Sequence, residues 1–131
     1  MLAVDTNIVV RYLVSDHPDQ FAKATAVIEQ NDVYISRTVM LETEWVLRSL
    51  YGYDRARLVE ALLSVAGLPR VLVEDSVGTL NALNRLKRGF DFADAMHLAG
   101  AQNCDAFITF DAGLAKIATR TGANTPAVKT P

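Results

Sequence analysis

One hundred and thirty-one residues, half of them apolar and 21% charged, have the size and composition of one ordinary globular domain over 1–131, which excludes a disordered or collagen-like chain. No apolar run approaches the roughly 18 residues of a membrane span. The start, Met1-Leu2-Ala3-Val4-Asp5, lacks the basic region of a signal peptide, so a cytoplasmic protein is expected. Thirteen basic residues against fifteen acidic, net −2, exclude recruitment of nucleic acid by bulk charge alone, and any polyanion partner needs local help.

Leu2-Ala3-Val4 reads as a short strand ended by Asp5, and Thr6 to Val14 as a helix with Ile8, Val9, Tyr12 and Leu13 at helical spacing. Pro18 suits the first turn of a helix over Asp19 to Gln30, and Val33-Tyr34-Ile35 is a second strand. Arg37 to Leu50 is amphipathic and stopped by Gly52, Asp54 caps a helix running to Leu68, and Val71-Leu72-Val73 is a third strand. Asp75 to Lys87 and Phe92 to Asn103 read as helices, Ala106 to Thr109 as a fourth strand and Gly113 to Arg120 as a short helix. The tail from Gly122 carries Thr and Pro turn signals and a last strand at Ala127-Val128. Arg85-Leu86-Lys87-Arg88 reads as the solvated end of a helix. Cys104, the one cysteine, excludes an internal disulfide or a cysteine zinc site and is expected to be a small buried hydrophobe.

Short apolar strands alternating with helices give an α/β fold, a mostly parallel central sheet with helices on both faces. In such sheets ligands bind beyond the carboxyl ends of the strands, where Asp5 and Asp111 both fall. Either could simply cap the helix that follows. Asp91 and Asp94 share a helix face, and Asp91 is equally a cap. On the helix from Arg37, the stripe of Val39, Met40, Thr43, Val46, Leu47 and Leu50 has Glu42 and Glu44 on opposite shoulders, and periodicity does not choose between them. Trp45 lies off the stripe, either covering a neighbouring helix or meeting a partner chain. Carboxylates converging on one crevice repel unless a hard cation such as Mg²⁺ or Mn²⁺ joins them, and such a cation lowers the pKa of a bound water for phosphodiester hydrolysis. His97, one turn beyond Asp94, either bonds to that site or is an ordinary helix histidine.

Val4-Asp5-Thr6-Asn7, Leu41-Glu42 with Trp45-Val46-Leu47, Phe92-Ala93-Asp94-Ala95 and Thr109-Phe110-Asp111, in this order, resemble the PIN-domain nucleases, specifically VapC-type toxins. The resemblance implies a PIN-like three-layer sandwich, a divalent-metal site of Asp5, Glu42, Asp94 and Asp111, and RNA cleavage by metal-activated water. It selects Glu42 over Glu44, makes Thr6, Asn7 and Thr109 residues that support the ligands or shape the loops, and makes Asp91 an additional acid that is either ligand or cap. It also implies a homodimer and a VapB-type antitoxin, with RNA rather than DNA as the nucleic acid bound. Such an antitoxin would place a basic side chain among the four acids, and Trp45, Tyr51 and Tyr53 are candidate walls for its apolar residues.

Three alternatives stand beside this reading. A phosphoacceptor receiver-like signalling domain shares the length and the alternation, yet Asp5 lacks adjacent acids and no lysine follows Ile108. A haloacid-dehalogenase-like phosphatase needs an aspartate where Asn7 stands. A PIN fold that only binds fits the architecture, against the four intact acids.

Overall fold

The computed structural model describes residues 1–122 and 126–131. Turn signals at 123–125 therefore lie outside the described residues. The chain forms two compact units, Met1–Ser76 and Val77–Pro131.

In the first unit, β1 (Leu2–Ala3), α1 (Thr6–Leu13), α2 (Pro18–Gln30), β2 (Val33–Ile35), α3 (Arg37–Ser49), α4 (Arg55–Ala66) and β3 (Val71–Val73) follow one another. The strands form a parallel sheet in the order β1-β2-β3, with Leu2 opposite Val33 and Val33 opposite Val71. Parallel neighbours need long crossovers, and α1 with α2, then α3 with α4, supply them. Val33 and Ile35 are wholly buried, as befits a strand paired on both sides. α1 packs on α2, α3 and α4, burying Val9, Val10, Ile28, Met40, Leu47 and Leu62.

Helix starts follow local chemistry throughout this unit. Asp5, His17, Ser36 and Asp54 each accept a backbone N–H in the first turn of α1, α2, α3 and α4, and Pro18 occupies the first position of α2, where its missing N–H costs nothing. α4 ends at Ala66 with Gly67 as its cap, earlier than the expected Leu68, because the Leu68 N–H bonds to the Val65 carbonyl three residues back and leaves the i→i−4 ladder.

The second unit holds α5 (Ser76–Lys87, beginning at the boundary), α6 (Phe92–Gly100), β4 (Ala106–Ile108), α7 (Ala112–Thr121) and β5 (Ala127–Lys129). β4 and β5 pair in parallel, Ala106 opposite Ala127. Parallel pairing thus holds in both sheets, and the α/β class read from the alternation is the class observed. Leu83, Leu86, Phe90, Phe92, Leu98 and Leu114 are buried. Gly89 takes φ +111 in the turn between α5 and α6, a conformation L residues rarely adopt, which lets Phe90 be buried directly after the exposed helix end.

Two expectations are corrected here. α6 stops at Gly100 rather than Asn103, so Cys104 stands in a turn whose N–H bonds to the Ala101 carbonyl, and it is exposed, not buried. α5 begins at Ser76, because Asp75 adopts φ +47, outside helical space.

α3 also differs from its apolar stripe. Met40, Thr43 and Leu47 are buried as expected, but Leu50 is 69% exposed and Glu44 only 2%. The inward face is therefore rotated toward Glu44, whose carboxylate accepts from the Arg48 Nε at 2.7 Å across one turn. The arginine side chain is 46% exposed and the glutamate 3%, so the pair stands at the edge of the core with the acid on the inner side. Glu44→Ala is expected to lower the unfolding free energy by about 1–2 kcal/mol; urea melts against wild type measure it.

Candidate functional site

In the first unit the ladder extends to the end of β1, where the Val4 N–H donates to the Tyr34 carbonyl at 3.2 Å. The next residue is Asp5, held at the strand's carboxyl end with extended backbone, and its Oδ1 accepts from the Ile8 N–H at 3.1 Å as the cap of α1. The capping role weighed for Asp5 is real, and it occupies one oxygen only. Thr6 is buried, and its hydroxyl donates to Glu42 Oε1 on α3, which packs against α1. One turn of α1 therefore places Asp5 and, through Thr6, orients Glu42. Asn7 is exposed beside them.

The two glutamates of α3 are thus separated by their surroundings. Glu42 is exposed and accepts a hydroxyl from the residue that follows Asp5, while Glu44 is enclosed with Arg48. Helical periodicity leaves this choice open because both shoulders lie equally close to the stripe.

In the second unit, Asp91 Oδ2 accepts from the Asp94 N–H at 3.1 Å and caps α6. Asp94 follows in the first turn of that helix, half-buried. Asp111 caps α7 through Oδ1 and the Leu114 N–H at 3.1 Å, and its own N–H donates to Thr109 Oγ1 at 3.0 Å. Gly113 keeps that carboxylate clear, since a Cβ there would lie 3.0 Å from Asp111 Oδ1. Burial first, then the charges of Asp91 and Asp111, push the Asp94 carboxyl above its ordinary 3.8, with His97 acting the other way. His97 is exposed, its ring stacks on Phe107 of β4 with centroids 6.3 Å apart, and it lies close enough to Asp94 to act on that carboxyl.

All these candidate donors are carboxylate oxygens, the donor type of a hard cation such as Mg²⁺ or Mn²⁺ rather than of zinc or copper. Among the described residues, no group of three or more His, Cys, Asp or Glu side chains is placed so that it could hold a metal ion. With Asp5, Asp91 and Asp111 each turned onto a helix N-terminus, their inner oxygens face backbone N–H groups.

The other singled-out residues divide by environment. Trp45 is 51% exposed, whereas Tyr53 is 9% exposed with the Arg57 guanidinium 4.0 Å over its ring, and it lines a small pocket with Leu13 and Glu60. Tyr51 accepts from Arg11 at 3.0 Å and donates to Asp16 at 3.2 Å. In the basic cluster, Arg88 donates to the Thr121 carbonyl at the end of α7. Arg85 is half-buried, and desolvation, then Arg88, lowers its guanidinium, so only part of the cluster is a solvated helix end. Among the described residues no helix is long and apolar enough to cross a membrane.

No curated protein matches the sequence. The family description "PIN domain" does match, over residues 2–120, a span that takes in all four candidate acids and displaces the receiver-like and dehalogenase-like alternatives. The carboxylates at the ends of β1 and β4, the glutamate of α3 and the acids opening α6 therefore belong to a chain of the PIN domain family, a fold whose members are generally metal-dependent nucleases.

Proposed function

We propose that this chain is a divalent-metal-dependent endoribonuclease that hydrolyses RNA phosphodiesters in the cytoplasm, as the VapC-type toxin of a toxin–antitoxin pair and as one domain over 1–131. The observation that carries the reading is the gathering of Asp91, Asp94 and Asp111 at the openings of α6 and α7, close enough that, after burial, the charges of Asp91 and Asp111 raise the Asp94 carboxyl, a repulsion that a cation relieves. Asp5 with Glu42, tied together through Thr6, is the second observation in its favour.

In this reading Asp5, Glu42, Asp94 and Asp111 hold the metal or its waters, and Asp91 remains chiefly the cap of α6. When bound there, Mg²⁺ or Mn²⁺ would supply charge neutralisation at the phosphate and would lower the pKa of a water. The chain's own part is orientation. The Ile8 and Leu114 N–H groups hold Oδ1 of Asp5 and of Asp111, and Thr6 holds one oxygen of Glu42. Asn7 and Thr109 support the loops that carry these acids, Thr109 by accepting the Asp111 N–H.

Purified protein is expected to cut single-stranded or loop RNA with Mg²⁺ or Mn²⁺ and to stop with chelator; cleavage persisting in excess EDTA, with contaminants excluded, overturns the reading. Asp5→Asn, Glu42→Gln and Asp94→Asn each reduce cleavage at least about 100-fold with circular dichroism unchanged, while Glu44→Gln retains most of it.

Asp94 also provides a metal-free test. A carboxyl raised in the folded state disfavours that state when ionised, so its cost is present above the folded pKa and disappears as the pH falls through it. Without metal, Asp94→Asn is expected to melt at a higher temperature than wild type at pH 7, with the difference shrinking toward pH 3.5. A lower melting temperature at pH 7 would mean that the carboxylate stabilises the fold.

An antitoxin follows from the toxin assignment, with an arginine that pairs bidentately with the acids and apolar residues that cover exposed surface such as Trp45. Homodimer formation belongs to the same expectation. Co-expression with the product of an adjacent small reading frame should restore growth and abolish RNase activity; absence of both toxicity and complex leaves a PIN nuclease of another purpose.

A further inference from the structure

The first unit contains a groove of about 780 Å³ that none of the acids explains, and Asp5 stands at its margin. That volume lies in the about 300–1,000 Å³ range of sites that enclose small-molecule-sized groups. One wall is a single face of α2, where Gln20, Lys23 and Val27 recur three and four residues apart. The facing wall is α1, with Asn7 and Ile8 directly after the Asp5 cap. Apolar surface from Ile8 and Val27 thus shares the lining with two side-chain amides and two cations, Arg11 and Lys23.

The rim is ordered rather than merely polar. Arg11 Nε donates to Gln20 Oε1 at 2.6 Å, and the same guanidinium is anchored by Tyr51 at 3.0 Å and Asp16 at 3.4 Å. Because Arg11 claims the carbonyl end of the Gln20 amide, its NH₂ end is the one left to donate into the groove. Lys23 is exposed, and among the described residues it has no ion pair. In a chain of net charge −2, a polyanion needs such a local cation beside the acidic site.

We propose that this groove is a nucleotide subsite. It receives the base adjoining the scissile phosphate of a single-stranded nucleic acid, with the Gln20 NH₂ and the Asn7 amide reading the base edge and Lys23 contacting the backbone phosphate. The proposal rests on the nuclease reading, since Asp5 is what places the groove next to the cut bond. A nucleobase suits the lining because it is flat, apolar on its faces and hydrogen-bonding at its edge.

The test combines cleavage with binding, and uses the full chain. A single-stranded RNA library with randomised positions is cut with Mg²⁺ or Mn²⁺ and the ends are sequenced for wild type, Gln20→Ala and Lys23→Ala, while fluorescence anisotropy in EDTA measures oligonucleotide binding across salt concentrations. Gln20→Ala is expected to relax base preference at one position beside the cut and to weaken binding of the preferred oligonucleotide about fivefold. Lys23→Ala is expected to weaken all sequences alike and reduce the salt slope by about one. Both residues are exposed, so folding is retained and circular dichroism checks it. Binding and cut-site distribution unchanged in both variants overturn the subsite, even if wild type is an active nuclease. If wild type cuts nothing, the nuclease reading fails by itself, and the binding arm still decides the subsite: weakening as stated supports it and no change overturns it.

Discussion

The free N–H groups at a helix start demand an acceptor, and in this protein that demand is met three times by an aspartate standing where chemistry is also expected. Asp5 caps α1, Asp91 caps α6 and Asp111 caps α7, each through one carboxylate oxygen at 3.1 Å. A cap is worth about 1 kcal/mol to the helix, and it also fixes the rotamer of the side chain that provides it. The same bond that starts the helix therefore presents the remaining oxygen in a defined direction. Capping and ligation, competing explanations on paper, are compatible because a carboxylate has two oxygens and several lone pairs.

Asp94 is the exception that makes the arrangement informative. It caps nothing, sits half-buried in the first turn of α6, and has Asp91 and Asp111 for electrostatic company. A helix N-terminus tolerates negative charge, which offsets part of that pressure but leaves the carboxyl raised. Structural ion pairing would have lowered it. A carboxyl raised by burial and by neighbouring acids is common at functional sites, which fits the role proposed for Asp94.

α3 illustrates how a two-residue spacing separates structure from function. Glu42 and Glu44 differ by about 200° around the helix axis, so only one of them can face inward. In the folded unit Glu44 faces inward, where it pairs with Arg48, and Glu42 is exposed on the side where the Thr6 hydroxyl of α1 reaches it. An acid whose charge is already matched by a neighbour one turn away is a poor cation ligand. One matched only by a hydroxyl keeps its full charge for a ligand.

Strand and helix positions were legible in the chain because apolar periodicity and capping residues are local: Val33-Tyr34-Ile35 and Val71-Leu72-Val73 are strands, and Asp5, Asp54, Asp91 and Asp111 open helices. The positions of Asp5 and Asp111 between a strand end and a helix were legible for the same reason, since that succession is a local pattern. What depended on distant packing was not. Which shoulder of α3 is buried, the exposure of Cys104, the burial of Tyr53 and the hold of Arg11 on Gln20 all require knowing which element lies alongside. Periodicity specifies a face and its width, but the rotation of that face is set by its neighbours, and only the folded chain supplies them.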